Sequence, residues 1–254
     1  EGERVYSGVI FKGHEHTKRL RRSCEMLDFE LPLSDDELDA AKMAVVEANG
    51  IVDGYVRAFA WRGSEMMAIS AQHTTTHVAI AAWEWPSYFD PETKMKGITL
   101  DIADWKRPSP ESAPVHAKAA GLYMICTLSK HAAEKKGFQD ALMLDYRGYL
   151  AEATGANVFF VDKEGTIHTP IADCFLDGIT RRTVIALAES LQMKVVQRHL
   201  TLDDLSEMTE CFLTGTAAEV TPVSQIGDAS FTPGDISRQL VDGYENLVRG
   251  RIAL

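Results

Sequence analysis

The pattern of hydrophobic and polar positions predicts strands at both ends of the first 84 residues. Apolar and polar residues alternate over residues 55–61, and a near-continuous apolar run covers residues 77–83, as is typical of strands. Residues 4–11 predict two further short strands around a turn at Ser7 and Gly8. Together with two helices between them, these strands indicate a small α+β unit.

The first of these helices is a basic segment over residues 14–27. Ser34 and Glu37 form a capping box before the second helix, because the hydroxyl and the carboxylate can each satisfy an orphan backbone N–H. Gly50 is a suitable stop. The apolar stripe of this second helix consists of Leu38, Ala41, Val45 and Ala48.

Residues 85–95 contain two prolines and several aromatic side chains, and we interpret them as a linker. Residues 96–254 then predict a larger unit with mixed or antiparallel sheet. Its predicted strands cover residues 97–104, 141–144, 149–151, 158–161, 166–168, 194–198 and 211–213. The second and third of these form one hairpin, and the fourth and fifth form another. Its predicted helices cover residues 117–136, 179–191 and 234–249.

Composition excludes several classes of function. The 254 residues are 45% hydrophobic and 25% charged, which is ordinary for a globular protein with a real core. Asp and Glu number 37 against 26 Lys and Arg, and the net charge of -11 would repel phosphate backbones and anionic lipid. No apolar stretch approaches the ~18 residues of a membrane span. We therefore expect neither a nucleic acid nor a membrane as partner.

Four scattered cysteines, Cys24, Cys126, Cys174 and Cys211, include no Cys-x-x-Cys pair. In a chain of this size they predict reduced thiols and a cytoplasmic protein. The sequence opens at Glu1 with neither an initiator Met nor a signal-peptide pattern, so we expect the natural start to lie upstream.

Several standard motifs are absent from the sequence, among them Gly-x-Gly-x-x-Gly, a Walker loop and Gly-x-Ser-x-Gly. His73 and His77 have the spacing of a helical zinc pair, but the three threonines between them disfavour a helix. The acidic run at residues 35–37 is better explained as charge at a helix N-terminus than as a calcium site. No metal site is predicted.

Lys118 lies among small apolar residues between Ala117 and Tyr123, at the start of a predicted buried helix. Partial desolvation lowers the pKa of an amine and makes it a nucleophile suited to Schiff-base chemistry. Most lysines lie on solvated faces, so this segment alone also fits a surface lysine.

Two segments have the composition of a phosphate site. Gly178 and Thr180 open the predicted helix at residues 179–191, where backbone N–H groups and a hydroxyl can bind an anion. Residues 214–219 leave a strand with small and hydroxyl side chains and could complete the same site. A plain N-cap and an ordinary turn explain the two segments without any ligand.

Glu152 places a carboxylate in an otherwise apolar strand. A buried carboxylate needs a partner, either a protonated ring nitrogen or a structural hydrogen bond to Thr154 or Asn157. A nucleophilic amine, a phosphate site and an acid are together what pyridoxal phosphate requires.

The order of these motifs resembles the class IV aminotransferases, which depend on pyridoxal phosphate, and within them most closely the branched-chain amino acid enzymes. The matching motifs are Glu1-Gly2-x-Arg4, His16-x-x-Arg19-Leu20, Tyr55-Val-Arg57, Lys118-Ala-x-Gly-x-Tyr123, Glu152-x-x-x-x-Asn157, Gly178-Ile-Thr-Arg181 and Gly215-Thr-Ala-Ala-Glu219. The resemblance runs nearly end to end and implies an α+β, two-domain fold like that of D-amino acid aminotransferase. It implies a small N-terminal domain over residues 1–84, a linker over 85–95 and a large cofactor-binding domain over 96–254.

The resemblance also implies how pyridoxal 5'-phosphate would be bound. Lys118 would form the Schiff base and, once released, move a proton between the substrate Cα and the cofactor C4′. Glu152 would pair with the pyridinium nitrogen, and Tyr123 would lie by the phenolate oxygen. The residues implied to hold the phosphate and its surroundings are Arg19, Gly178, Ile179, Thr180, Gly215 and Thr216.

The implied reaction is a ping-pong transfer of the amino group of L-leucine, L-isoleucine or L-valine to 2-oxoglutarate. Tyr55 and Arg57 resemble the family's clamp for the substrate α-carboxylate, and the backbone amides of Thr216 and Ala217 would assist them. Trp85 and Tyr88 match aromatic positions that line the side-chain pocket. The family also implies a homodimer.

Some residues depart from the family pattern. The opening strand, with a Tyr that reaches the neighbouring subunit's pocket, does not precede Glu1. Ala58 stands where the family has Pro, and residues 62–68 differ from the glycine-rich loop of branched-chain enzymes. The substrate side chain is therefore the least specified feature, although a pocket with Met and Trp favours apolar side chains.

Three alternatives remain open at this stage. A D-amino acid or (R)-amine transaminase shares the fold, but the sequence from Tyr55 to Arg57 favours the L-type clamp. A 4-amino-4-deoxychorismate lyase uses the same lysine and cofactor, but Arg57 and the motif beginning at Gly215 favour transfer. A relative that only binds a ligand is disfavoured by the presence of both Lys118 and Glu152.

Overall fold

The chain divides into two compact units, Glu1–Pro86 and Ser87–Leu254. The computed structural model describes residues 1–85 and 95–254. Most of the predicted linker, including Tyr88, lies outside the described residues, so the predicted domain bounds stay a prediction. Within the described ranges, every helix is too short or too polar to cross a bilayer.

The first unit is a four-stranded antiparallel sheet packed against two helices. Its elements are β1 (Glu3–Tyr6), β2 (Val9–Ile10), α1 (Gly13–Met26), α2 (Asp35–Ala48), β3 (Gly54–Arg62) and β4 (Thr76–Glu84), with strand order β2-β1-β3-β4. Val5, Val46 and Val56 join strands and helix in one buried cluster. The predicted capping box is confirmed, because Ser34 accepts a hydrogen bond from Glu37 N and Glu37 accepts one from Ser34 N.

The second unit contains a mixed sheet with three helices described. Its strands are β5 (Ile98–Ile102), β6 (Asp140–Leu144), β7 (Leu150–Ala153), β8 (Asn157–Asp162), β9 (Ile167–Thr169), β10 (Val195–Gln197), β11 (Met208–Gly215), β12 (Glu219–Ile226) and β13 (Ala229–Ser230). Its helices are α3 (Tyr123–Lys135), α4 (Ile179–Ser190) and α5 (Asp235–Val248). This mixed α+β architecture confirms the predicted fold class.

The sheet closes on itself. Its strands run in the order β10-β9-β8-β11-β12-β5-β6-β7, and β7 also pairs with β8. That last pairing joins six strands into a ring through one residue pair, Glu152 with Asn157. β5 is parallel to both of its neighbours, whereas β6–β7, β8–β9 and β8–β11 are antiparallel. Both predicted hairpins are therefore confirmed.

Successive side chains of a strand point to opposite faces of the sheet, and on β8 and β11 both faces are buried. Phe160 and Leu213 belong to the main core cluster. Phe159 and Phe212, one position away on each strand, stack with ring centroids 5.0 Å apart. The ladder between β8 and β11 is thus packed on both faces.

One prediction about this unit was wrong, and one long strand was not predicted. The helix expected from residue 117 begins at Tyr123, after a 3-10 turn over Ala120–Leu122, because Ala119 is extended and Gly121 weakens helix propensity. The whole of β12 was missed, since Pro222 argues against a strand. Proline has no backbone N–H to donate. Pro222 lies opposite Phe212 of β11, and the pairing of β12 with β5 starts only at Val223, so no hydrogen bond to β5 is lost.

Candidate active site

The predicted acid lies where three strands meet in register. Glu152 on β7 pairs with Asn157 on β8, and Asn157 pairs in turn with Thr214 on β11. Residues directly opposite each other in antiparallel strands point to the same face, so these three side chains form one row. Thr214 is buried, and its hydroxyl makes no hydrogen bond to any described residue.

Asn157 links the acid to the first predicted phosphate segment. Its Nδ2 donates to Glu152 Oε2 at 3.3 Å and to the Leu176 carbonyl at 3.0 Å. Any Cβ at Gly178 would overlap Asn157 Oδ1, so this glycine allows the close approach. Of the two structural partners expected for Glu152, Asn157 is the one observed, whereas Thr154 donates to Asp140.

The second predicted phosphate segment lies against the same strands. A Cβ at Gly215 would lie 3.3 Å from both Ala156 Cβ and the Gly155 carbonyl oxygen. Thr216 and Ala217 occupy the turn between β11 and β12 and are half-buried. The structure therefore brings together the three segments at residues 152–157, 178–180 and 214–217.

Helix α4 begins at Ile179 and presents its N-terminus beside Asn157. Gly178 is the N-cap and is extended, and no described side chain caps the helix. Backbone N–H groups at such an end attract anions. Thr180 is buried in the first turn. Arg181 is a support rather than a ligand, because its buried guanidinium donates to Asp177, Gln197 and the Pro170 carbonyl.

Lys118 and Tyr123 lie next to each other. Lys118 Nζ donates to Tyr123 Oη at 2.6 Å and lies 5.2 Å from the centre of the tyrosine ring. Lys118 is half-buried, and Tyr123 is 40% exposed. The non-helical backbone before α3 leads to this contact, since a continuous helix would direct the two side chains differently.

Glu152 has an unusual electrostatic environment. Burial raises the pKa of its carboxyl to about 7, against the opposing effect of the positive charges of Arg107 and Lys118. Arg107 Nε lies 3.3 Å from Glu152 Oε1, and both side chains are almost fully buried. The Nη1 of Arg107 also donates to the carbonyl of Leu122, so one guanidinium contacts both the predicted acid and the segment that carries the predicted amine.

Arg107 is a site residue that the sequence did not reveal. It follows Lys106 and precedes Pro108 in a polar stretch, where an arginine suggests only a solvated loop. The signal that could have revealed it is the need of a buried carboxylate for a cationic neighbour. Arg107 N donates to Leu144 O at 2.8 Å, which fixes the residue beside β6.

Arg19, predicted to bind phosphate, pairs with Glu1 in the first unit. Arg19 Nε and Nη2 donate to the two Glu1 carboxylate oxygens, each at 2.8 Å, and His16 Nδ1 lies 2.7 Å from Glu1 Oε2. Burial would raise the pKa of Glu1, but the charge of Arg19 and these hydrogen bonds hold it well below its ordinary value.

The predicted substrate residues of the first unit share one sheet face. Tyr55 contacts Trp83 and Trp85, with ring centroids 5.3 and 4.9 Å apart. Arg57 is two residues further along β3 and is exposed. A Cβ at Gly2 would overlap the Tyr55 hydroxyl, so this glycine seats the ring against the chain.

A cluster of potential metal ligands lies at the end of β6. Asp145, Asp173 and Cys174 have side chains close enough together to share a metal ion. The Arg147 guanidinium already bonds to all three, at 2.7 to 3.3 Å. Among the described residues this cluster is therefore explained as an ion-pair network around an arginine.

The family model for amino-transferase class IV matches residues 1–226 of the chain. A probable branched-chain-amino-acid aminotransferase of Rickettsia conorii is 41% identical over 253 residues, covering 98% of this chain and 86% of that protein. The branched-chain-amino-acid aminotransferase of Pseudomonas aeruginosa is 35% identical over 258 residues, covering 99% and 84%.

Solved structures of similar proteins share the fold. The branched-chain amino acid aminotransferase of T.th. with pyridoxamine 5'-phosphate has a TM-score of 0.96 at 37% identity, covering 99% of this chain and 85% of that one. The Escherichia coli branched-chain amino acid aminotransferase has a TM-score of 0.92 at 32% identity, covering 100% and 86%.

Proposed function

Because the chain belongs to the class IV aminotransferase family, we propose that it transfers the amino group of L-leucine, L-isoleucine or L-valine to 2-oxoglutarate with pyridoxal 5'-phosphate. The observation that carries the proposal is a network of contacts in the second unit: Arg107 contacts Glu152 and the residue before Tyr123, and Tyr123 contacts Lys118. Asn157 connects Glu152 to the first phosphate-type segment. The relatives named above are branched-chain enzymes, which supports the substrate class.

The chemistry of the donor set fits this cofactor. The long contacts of Glu152, at 3.3 Å each, leave its oxygens able to accept a stronger hydrogen bond from a protonated ring nitrogen. The N-terminus of α4 and the turn after Gly215 offer N–H groups and hydroxyls to a phosphate. We assign the phosphate to Gly178, Ile179, Thr180, Gly215 and Thr216, with Arg19 added on the family resemblance.

The cofactor, when bound, acts as the electron sink that stabilises negative charge at the substrate Cα. The protein moves the proton. Lys118 supplies the amine that holds the cofactor and afterwards takes the proton from the substrate Cα, a transfer worth about 10²–10⁴-fold in rate. Tyr123, whose hydroxyl accepts a hydrogen bond from Lys118 Nζ, orients that amine. Two such half-reactions in succession give ping-pong kinetics.

Tyr55, Arg57 and Trp85 are the residues of the first unit that we assign to the substrate, together with Ala217 of the second and Tyr88 outside the described residues. An arginine binds a carboxylate in a planar, bidentate manner, which suits the α-carboxylate of an amino acid. The aromatic group around Tyr55 supplies the apolar surface that a branched side chain needs. We extend the proposal to a homodimer in the cytoplasm. Analytical ultracentrifugation tests the dimer.

Absorbance spectroscopy tests the proposal. Protein loaded with pyridoxal phosphate should show a visible cofactor band that L-leucine converts and D-alanine does not, and added 2-oxoglutarate should then yield glutamate. Lys118→Ala should bind no cofactor covalently and lose transamination, whereas Lys130→Ala, an exposed lysine on α3, should behave like the parent. Full turnover by Lys118→Ala, or release of pyruvate from added 4-amino-4-deoxychorismate, would contradict the proposal.

A further inference from the structure

Arg107 holds a buried positive charge between Glu152 and the first turn of α3. Its Nη1 donates to the Leu122 carbonyl and to Cys126 Sγ, each at 3.4 Å, while its Nε faces Glu152 Oε1. One guanidinium therefore contacts both Leu122, the residue before Tyr123, and Glu152 on β7. The side chain of Arg107 is only 5% exposed, and such a charge is costly to bury unless it is paired.

We propose that Arg107 is a positioning residue that keeps Glu152 ionised, so that the proton shared with the cofactor's ring nitrogen stays on the nitrogen. The proposal rests on the proposed function. With the cofactor bound, the carboxylate of Glu152 and the ring nitrogen would share one proton. If it lies on Glu152, the ring is neutral and draws electrons weakly; if it lies on the nitrogen, the ring is positive and draws them strongly.

The geometry favours an effect of charge over a hydrogen bond. Arg107 Nε makes no hydrogen bond to any described residue, although Glu152 Oε1 is only 3.3 Å away, because the N–H does not point at the oxygen. The guanidinium thus stabilises the negative charge without filling the lone pair that a ring N–H would use. Glu152 must stay ionised and must also accept a hydrogen bond from the ring nitrogen. An arginine that acts by its charge, without occupying the carboxylate oxygen, allows both.

Other charged groups near Glu152 cannot replace Arg107. Lys118 also affects the acid, but its amine reacts with the cofactor and substrate, so its charge changes during turnover. Burial raises the pKa of the Cys126 thiol, which leaves that group neutral. Asn157 is uncharged. An arginine keeps its charge at every working pH, which makes Arg107 the constant positive charge beside the acid.

The first test uses protein without cofactor. We would label glutamate carboxyls with 13C, assign Glu152 by its loss in Glu152→Gln, and titrate by NMR the parent, Arg107→Met, Arg107→Lys and the control Arg198→Met. We expect Arg107→Met to raise the pKa of Glu152 by about 1–3 units, Arg107→Lys to retain most of the parental value and the control to leave it unchanged. Arg107→Gln serves if the Met variant does not fold.

The second test uses 15N-labelled pyridoxal phosphate bound to the same proteins. We expect a protonated ring nitrogen in the parent and in Arg107→Lys, and a nitrogen signal shifted toward the neutral form in Arg107→Met. A purely packing role for Arg107 predicts an unchanged nitrogen signal in Arg107→Met, together with an unchanged Glu152 titration, and that result would overturn the proposal. Failure of the parent protein itself to bind the cofactor would instead overturn the proposed function, and the two failures are thus distinct.

Discussion

Glu1 in the first unit and Glu152 in the second are both buried carboxylates beside an arginine, yet their pKa values shift in opposite directions. Glu1 receives two N–H donors from Arg19 at 2.8 Å and a third contact from His16, and its pKa falls well below the ordinary value. The contacts of Glu152 with Asn157 and Arg107 are longer, at 3.3 Å, and its pKa rises to about 7.

The difference lies in geometry rather than in residue type. A bidentate pair satisfies the carboxylate completely and offsets the loss of hydration, whereas a misaligned pair offsets it only in part. A carboxylate satisfied by the protein stabilises the fold but has little capacity for a ligand. One that is incompletely satisfied costs stability and retains the capacity to bind. We expect the first unit to hold a structural acid and the second a functional one.

Glu152→Gln tests the functional side and should have the largest effect. The amide keeps the size and one acceptor but cannot hold a positive ring nitrogen, so we expect kcat to fall on the order of 10²-fold or more. The free energy of unfolding at pH 7 should change little, because the removal of a carboxyl whose ionised form burial disfavours is opposed by the loss of the anion beside the buried Arg107. Parallel kinetic and urea-unfolding measurements check both, and a large loss of stability with normal turnover would reverse the comparison.

Glu1→Gln tests the structural side. Removing the anion leaves Arg19 and His16 facing a group that cannot balance their charge, and breaking such a pair costs about 3 kcal/mol, the low end of the usual range since Arg19 keeps slight exposure. Urea unfolding of Glu1→Gln, Arg19→Met and the double variant would give the coupling energy. A coupling near zero would show that the short contacts do not stabilise the first unit.

The pH dependence of stability should separate the two acids. A raised folded pKa gives stability that is present below the unfolded value of 4.5 and lost toward pH 7, so the parent should lose at most about 3 kcal/mol relative to Glu152→Gln across that window. A lowered folded pKa gives stability that is present above 4.5 and lost below it, so the parent's advantage over Glu1→Gln should shrink in acid. If the stability differences from Glu152→Gln and from Glu1→Gln changed with pH in the same way, the two acids would not differ as expected.

Gly178→Ala should have the smallest effect. Its Cβ would overlap Asn157 Oδ1, and overpacking of this kind costs about 1–3 kcal/mol. The displaced amide would also release Glu152, so cofactor affinity should fall. Gly155→Ala is the matched control, because no described atom lies within 4 Å of the added Cβ. Thermal unfolding and cofactor titration of both variants check this, and equal behaviour would show that Asn157 does not depend on the glycine.

Local chemistry made much of the fold predictable from the sequence. The capping box at Ser34 and Glu37 depends on adjacent residues only, and the hairpins follow from alternation around glycine-containing turns. The start of α3 was not predictable in the same way, because small apolar residues favour a helix locally while the folded chain keeps Lys118 outside the helix. β12 was missed because its proline is acceptable only given the pairing partners of Val223.

The candidate site shows the same division. Lys118, Glu152 and Gly178 were predicted because their motifs have chemical meaning in a single stretch of sequence. Arg107 was not, since its role depends on a contact with a strand that begins more than 40 residues later. The closure of the sheet ring was equally invisible, because a single residue pair leaves no periodic pattern.

That closure has a consequence for motion. The ring is joined at β7 and β8 by the pairing of Glu152 with Asn157, supported by the hydrogen bond from Ala153 N to Ala156 O. The ladder between β8 and β11 is far longer. Local opening costs least where few backbone hydrogen bonds must break, so we expect the backbone amides of this short ladder to exchange their hydrogens faster than those of the β8–β11 ladder. The acid therefore lies in the shortest ladder of the ring, beside the three-residue turn that keeps β7 and β8 next to each other.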